Sequence, residues 1–286
     1  MSHAAGLPRA VALLPTRNAE PFIEATLTAL GAQTYPHFAV LISDDASTDR
    51  TPAICERFAQ ADGRFRFLRQ TRQLGWVGNS NALLQAARGD YLFFAAHDDL
   101  VAPTYVASLV DALERDPAAV LAFSDGEKLT LDNESEVWSF AELDGLGGLE
   151  QAVRIARQRP GWPVPFRGVF RASAAQRVGG LRRHLAGEFG ADWPWLLRLS
   201  LLGGFVRVPQ PLFRKVARPE SLARTWEYGF RDWVGVTLSC VREVRHAALA
   251  PRAELRLDAQ LGRTCLRLLL RAAVRATRGP SRASLV

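Results

Sequence analysis

The first 125 residues alternate between short, almost wholly apolar runs and stretches with helical spacing, and three of those runs stop at a polar cluster. The runs are AVALLP (10–15), FAVLIS (38–43), RFRFL (64–68, which instead alternates like a strand), YLFFAA (91–96) and AVLAFS (119–124). Between them, Phe22, Ile23, Leu27 and Leu30 recur at helical spacing. TDRTPAICERFAQA places Pro52 in a first turn, and NSNALLQAA and TYVASLVDALERD read as further helices. Strands that are apolar along their whole length belong to a sheet covered on both faces, so the pattern predicts an α/β fold with a mainly parallel sheet. In such sheets ligands collect beyond the carboxyl ends of the strands. Three clusters fall there: PTRN after the first run, DDAST after the second and HDD after the fourth.

Each cluster admits two readings. Asp44 and Asp45, followed by Ser47, Thr48 and Asp49, suit a turn and a helix cap as well as they suit ligand contact. His97-Asp98-Asp99 can be a loop leading to the helix near Pro103. Adjacent carboxylates nevertheless repel unless a cation lies beside them. Oxygen donors suit Mg²⁺ or Mn²⁺, which bind through one or two carboxylates plus substrate phosphates. Together the acidic pairs describe a metal–diphosphate site flanked by a nucleoside pocket. A G-x-x-x-x-G-K-[ST] phosphate loop, a strand-borne G-x-G-x-x-G and a G-x-S-x-G elbow are all missing from the sequence, which argues against the enzyme classes that carry them.

The second half is less regular. Residues 126–165 read as loops around a helix near 149–158, FRGVFRASAAQRVGGL as a strand followed by a helix, and GADWPWLLRLSLLGG as the start of another helix. From about 226 the composition turns Arg-rich and helical. Residues 240–286 hold ten arginines against Glu243, Glu254 and Asp258, which accounts for the whole net charge of +7. The body is neutral, so no nucleic-acid partner is expected. Arg263, Arg267, Arg271 and Arg275 recur every fourth residue beside Leu257, Leu261, Leu268 and Leu269. This tail suits either packing and homo-oligomerisation or peripheral contact with an anionic membrane. Three cysteines without metal-ligand spacing, no apolar window long enough for a span and no signal-peptide pattern point to the cytoplasm. The expected division is an α/β domain over 1–225, with halves near 9–125 and 126–225, and a helical extension over 226–286.

AVALLPTRNAEPFIEATLTALGAQTYPHFAVLISDDASTDRT, GNSNALLQAARGDYLFFAAHDDLVAPTYV and GADWPWLLRLSLLGGFVRVPQPLFR, in that order, resemble the family 2 glycosyltransferases over about residues 9–216. The resemblance implies a GT-A fold, a nucleotide-sugar donor and transfer with inversion. It implies that Pro15, Thr16 and Asn18 line the nucleobase and ribose, that Asp45 and its neighbour Asp44 contact the base, and that Gly75, Asn79 and Asn81 stand beside the nucleotide. It makes Asp99 the foremost metal ligand and Asp98 the second, with His97 adjacent and Ala96 where many relatives carry a further Asp. Asp192 becomes the base that deprotonates the acceptor hydroxyl, although the residue also suits a helix cap before Pro194. Glu188 is the reserve base. His184, Arg214 and Arg218 are candidates for the diphosphate, and Trp162, Phe166, Trp193 and Trp195 are either sugar-stacking or core residues.

The expectation is therefore a hexosyltransferase-type enzyme that uses Mn²⁺ or Mg²⁺. It would move a sugar from a UDP- or dTDP-type donor to a saccharide or lipid-linked acceptor in cell-surface polymer assembly. Two rivals stand beside it. One is a sugar nucleotidylyltransferase, which lacks support because LLPTRNAEPF contains no glycine. The other is a catalytically silent nucleotide-sugar-binding protein, which the shortened acidic motif would suit.

Overall fold

The computed structural model describes residues 8–130, 134–139, 141–158, 164–185, 187–216 and 229–278, with the backbone alone beyond residue 272. Trp162, Arg218 and the side chain of Arg275 lie outside the described residues. The strands are β1 (Ala10–Thr16), β2 (Phe38–Asp44), β3 (Phe65–Arg69), β4 (Tyr91–Phe94), β5 (Asp99–Val101), β6 (Ala119–Leu129), β7 (Ser135–Trp138), β8 (Val169–Arg171) and β9 (Gly204–Val216). The helices are α1 (Ile23–Gly31), α2 (Thr51–Ala61), α3 (Gly75–Ala86), α4 (Tyr105–Arg115), α5 (Gly148–Ile155), α6 (Ala172–Val178), α7 (Asp192–Ser200), α8 (Phe230–His246) and α9 (Pro251–Arg278).

One sheet runs in the order β3-β2-β1-β4-β8-β6-β9-β5, with β7 attached to β6. β3, β2, β1 and β4 pair in parallel, as the unbroken apolar runs of β1, β2 and β4 predict. Beyond them the sheet is mixed. The short β8 lies antiparallel between β4 and β6, β5 lies antiparallel on β9, and β6 and β9 return to parallel pairing. Strands of three residues are too short for periodicity to reveal. The fourth run ends at Phe94, two residues before the expected limit, so the acidic motif turns back at once and Asp99 opens β5.

β6 and β9 are parallel, with register shifts around Asp125. At Gly126 an added Cβ would stand 2.3 Å from the Phe213 ring, so only glycine admits that ring. Phe94, Phe166, Phe170 and Trp195 form one aromatic cluster, with centroids 4.9–5.9 Å apart. Phe166, Trp193 and Trp195 are buried core residues. This favours the core reading of those rings over sugar stacking.

α8 packs against α7, and α9 packs against α8 and α5. Leu257, Gln260, Leu261 and Thr264 form the inward face of α9, where the Thr264 hydroxyl donates to the Ala156 carbonyl at 2.9 Å. This is the packing alternative for Leu257 and Leu261. Those leucines are core, and Arg267 leans inward to the Arg157 carbonyl.

Candidate active site

The first two polar clusters are stitched together. Asn18 turns the chain out of β1 with φ 46°, a conformation asparagine tolerates better than most residues. Its amide donates to the Ser47 hydroxyl at 2.9 Å, and its side-chain oxygen accepts from the Thr48 amide at 2.9 Å. The Asp44 carboxylate accepts from the Ser47 amide at 3.1 Å and from its hydroxyl. Asn18 and Asp44 thus shape the loops that border the strand ends. The buried Thr16 hydroxyl has no hydrogen-bond partner among the described residues, leaving it as a polar group at the end of β1.

Two carboxylates occupy the amino end of α3. Asp45 accepts from the amides of Leu74 and Gly75 at 2.6 and 2.9 Å. Glu188, from the loop before α7, accepts from the amides of Trp76 and Val77 at 2.9 and 3.2 Å and pairs with Arg183 at 2.7 Å. These amides have no partner within the helix, so the carboxylates satisfy them. Gly75 has φ 79°, and a Cβ there would stand 2.5 Å from Glu188 Oε1. The expectation of Glu188 as reserve base is corrected: its charge is committed to a helix end and an arginine.

Asn79 and Asn81 are likewise committed. Asn79 donates to the Ser43 carbonyl at 2.8 Å and accepts from the Ser43 hydroxyl at 2.6 Å. Asn81 both donates to and accepts from the Leu181 backbone, at 2.9 and 2.8 Å. They fasten α3 to β2 and to the loop after α6. Arg214 pairs with Glu127 at 2.9 Å on the surface. His184 is held by the Phe189 carbonyl at 2.7 Å.

The acidic motif is built from three directions. The β4–β5 turn supplies His97, Asp98 and Asp99; Arg167 ends a 3₁₀ turn; β9 supplies Lys215. Arg167 Nε donates to Asp99 Oδ2, and both side chains are buried. The guanidinium lies 5.2 Å from the Trp138 ring centroid and 5.4 Å from that of Phe213. It is a fixed cation. In the strand register Lys215 lies opposite Asp99 on one side and Lys128 on the other. Burial pulls the Lys215 ammonium below its usual range, with Asp99 and Asp98 opposing it. Burial also lowers His97, whose ring stacks at 5.2 Å on Phe22. Asp99 is paired with Arg167 through Oδ2 while its buried Oδ1 has no hydrogen-bond partner among the described residues, and half-buried Asp98 has no hydrogen bond or ion pair to a described residue.

Among the described residues no group of three or more His, Cys, Asp or Glu side chains is set to hold a metal ion. The donor set fits a divalent ion through the carboxylate of Asp98 or the unpartnered Oδ1 of Asp99, with the remaining oxygens drawn from a diphosphate and water.

Asp192 begins α7 but does not cap it. Ala191 holds the cap position in helical conformation, and no side-chain cap bond forms. Asp192 is 1% exposed, and neither carboxylate oxygen reaches a full hydrogen bond among the described residues. Burial pushes its carboxyl up to about 7, with the amides at the helix start and Arg167 only partly offsetting this. Arg167 was missed by the sequence reading, which took in Lys215 only as part of the basic run RKVAR (214–218). Arg167 lies 68 residues from Asp99, and no spacing signal joins them.

The family profile for glycosyl transferase family 2 matches residues 12–166, more than half of the chain. The chain belongs to glycosyl transferase family 2. Among curated relatives, the putative glycosyltransferase EpsH of Bacillus subtilis is 34% identical over 104 residues, covering 36% of this chain and 30% of that protein. The O-antigen biosynthesis protein RfbC of Myxococcus xanthus is 28% identical over 196 residues, covering 68% of this chain and 14% of RfbC. The matches to the first relatives span about a third of their length. Among solved structures, Staphylococcus aureus TarS 1–349 in complex with UDP-GlcNAc superposes with a TM-score of 0.73 at 17% identity, covering 95% of this chain and 74% of TarS 1–349. The mannosyltransferase PcManGT of Pyrobaculum calidifontis, in complex with GDP-Man and Mn²⁺, gives 0.60 at 18% identity, covering 96% and 77%. These likenesses establish the GT-A fold for this family 2 chain.

Proposed function

We propose that this family 2 protein transfers a sugar from a nucleoside-diphosphate donor to an acceptor hydroxyl with inversion. The observation that carries the reading is Asp192: a buried carboxylate without full hydrogen bonds, with its pKa pushed to about 7, in the same electrostatic neighbourhood as Arg167. A base tuned near neutrality is suited to take a proton from an alcohol in the transition state. Thr16 and the backbone around Pro15 border the nucleoside side. Asp45 acts one step back, by fixing the amino end of α3. Arg167 and Lys215 place positive charge where the leaving diphosphate gathers negative charge. A divalent ion held by Asp98 would supply further neutralisation of that leaving group.

The structures of TarS with UDP-GlcNAc and of PcManGT with GDP-Man support a nucleotide-sugar donor. The names of RfbC and of the teichuronic acid glycosyltransferase TuaG support a setting in surface-polymer assembly. A cleft of about 400 Å³ lies beside the first turn of α7, lined among others by Arg182, Ala191, Pro194, Leu238 and Arg242. Its mixed cationic and apolar walls suit a lipid-linked saccharide as acceptor.

Screening nucleotide sugars for thermal stabilisation, then following product anomeric configuration by NMR, tests the reading. Inverted product that disappears in Asp192→Asn is expected, and retained configuration would overturn it. A second reading, donor binding without transfer, is favoured by the near-complete burial of Asp192. Stoichiometric UDP binding with no single-turnover transfer or hydrolysis of any donor would select it.

A further inference from the structure

α9 packs one face on the protein and leaves the opposite face bare. Leu255, Leu266, Leu269 and Leu270 are 70, 56, 53 and 59% exposed, and Ala259 and Gly262 between them are exposed as well. At about 100° per residue the four leucines fall within an arc of about 100°, along a ridge roughly 22 Å long. Arg252 and Arg263 are exposed along one flank, with no ion-pair or hydrogen-bond partner among the described residues. The other flank carries Glu254 and Asp258, and both are held by Arg245, at the second with 2.8 Å. Among the described residues no helix is long and apolar enough to cross a membrane.

We propose that this ridge lies in the interfacial layer of an anionic lipid bilayer. Four leucines on a single surface helix form a larger apolar strip than scattered exposed residues do. A helix with one apolar face and an arginine flank can lie in the plane of the interface, with leucines among the acyl chains and guanidiniums among lipid phosphates. Charge decides between this occupant and a second copy of the chain. An antiparallel pairing of two ridges sets one arginine row against the other. A parallel pairing sets it against Glu254 and Asp258, both already shared with Arg245. The first arrangement offers the arginines no acid and the second only two that another arginine holds, whereas anionic headgroups offer one to each.

Co-sedimentation of the full chain with phosphatidylglycerol–phosphatidylcholine vesicles, against phosphatidylcholine alone, across a salt series, tests the proposal. The protein pellets with the anionic vesicles at low salt and stays in solution with the neutral ones. The exposed double variant Leu266→Asn/Leu270→Asn releases it while leaving the melting temperature unchanged. Replacing Arg252 and Arg263 by Gln lowers partitioning by about thirtyfold at low salt. Three outcomes overturn the proposal. They are no binding to anionic vesicles at low salt, binding indifferent to the leucine pair, and light scattering that shows a dimer dissolved by the same leucine variants in a protein that ignores vesicles.

Discussion

Arg167 and Asp99 form an ion pair beneath the strand ends, with their side chains only 8% and 6% exposed. Removing one member of such a pair leaves a buried charge without compensation, which typically costs about 3–5 kcal/mol. Asp99→Ala and Arg167→Met are therefore expected to lower the melting temperature sharply, by chemical or thermal unfolding, whether or not a metal ion is present. An Asp99→Ala protein of unchanged stability would return Asp99 to the role of free metal ligand.

Asp98 should behave in the opposite way. Asp98→Asn is expected to keep the melting temperature of the parent. It should weaken UDP binding in Mn²⁺ by about tenfold or more, the scale of a lost charge-assisted contact. Calorimetric titration with UDP, in Mn²⁺ and after chelator treatment, reads the difference. Equal affinities for parent and variant in both conditions would remove Asp98 from the donor site.

Asp192 ties activity to pH and to stability. Turnover by the base should rise with pH and level off above about 7, and Asp192→Asn should be slower by roughly two to four powers of ten without that titration. The stability effect has the reverse sense. The folded protein holds this proton at pH values where the unfolded chain has released it, so the carboxyl's contribution is fully present below about 4. It is lost as pH rises through about 7. Melting temperatures across pH 4–8 are thus expected to fall more steeply for the parent than for Asp192→Asn.

Glu188 is expected to act through α3. Glu188→Ala removes the acceptor for the Trp76 and Val77 amides and the partner of Arg183. It should cost about 1–2 kcal/mol, as the loss of a good helix cap does, and should raise the donor KM. The midpoint of the pH–rate profile stays with Asp192, so a shift of that midpoint in Glu188→Gln would make Glu188 a base after all.

The sequence by itself determined the four parallel strands, the helices between them and the polar turns in which Asp45 and Asp98 stand. Each of these rests on local information: apolar runs, helical spacing, and turn residues within a few positions of one another. It also brought out Asp192, through the motif that opens α7. Only the tertiary structure decided which of those polar groups remain available. Asn81 is spent on Leu181, Glu188 on α3 and Asp99 on Arg167, through contacts that span 68 to 112 residues. The face that α9 turns outward belongs to the same class of fact. Two leucine stripes compete for the core, and the packing of α8 and α5, not the periodicity, selects Leu257 and Leu261 over Leu266 and Leu270. Periodicity records that a residue is apolar or charged; the partner that satisfies it comes from a distant part of the chain.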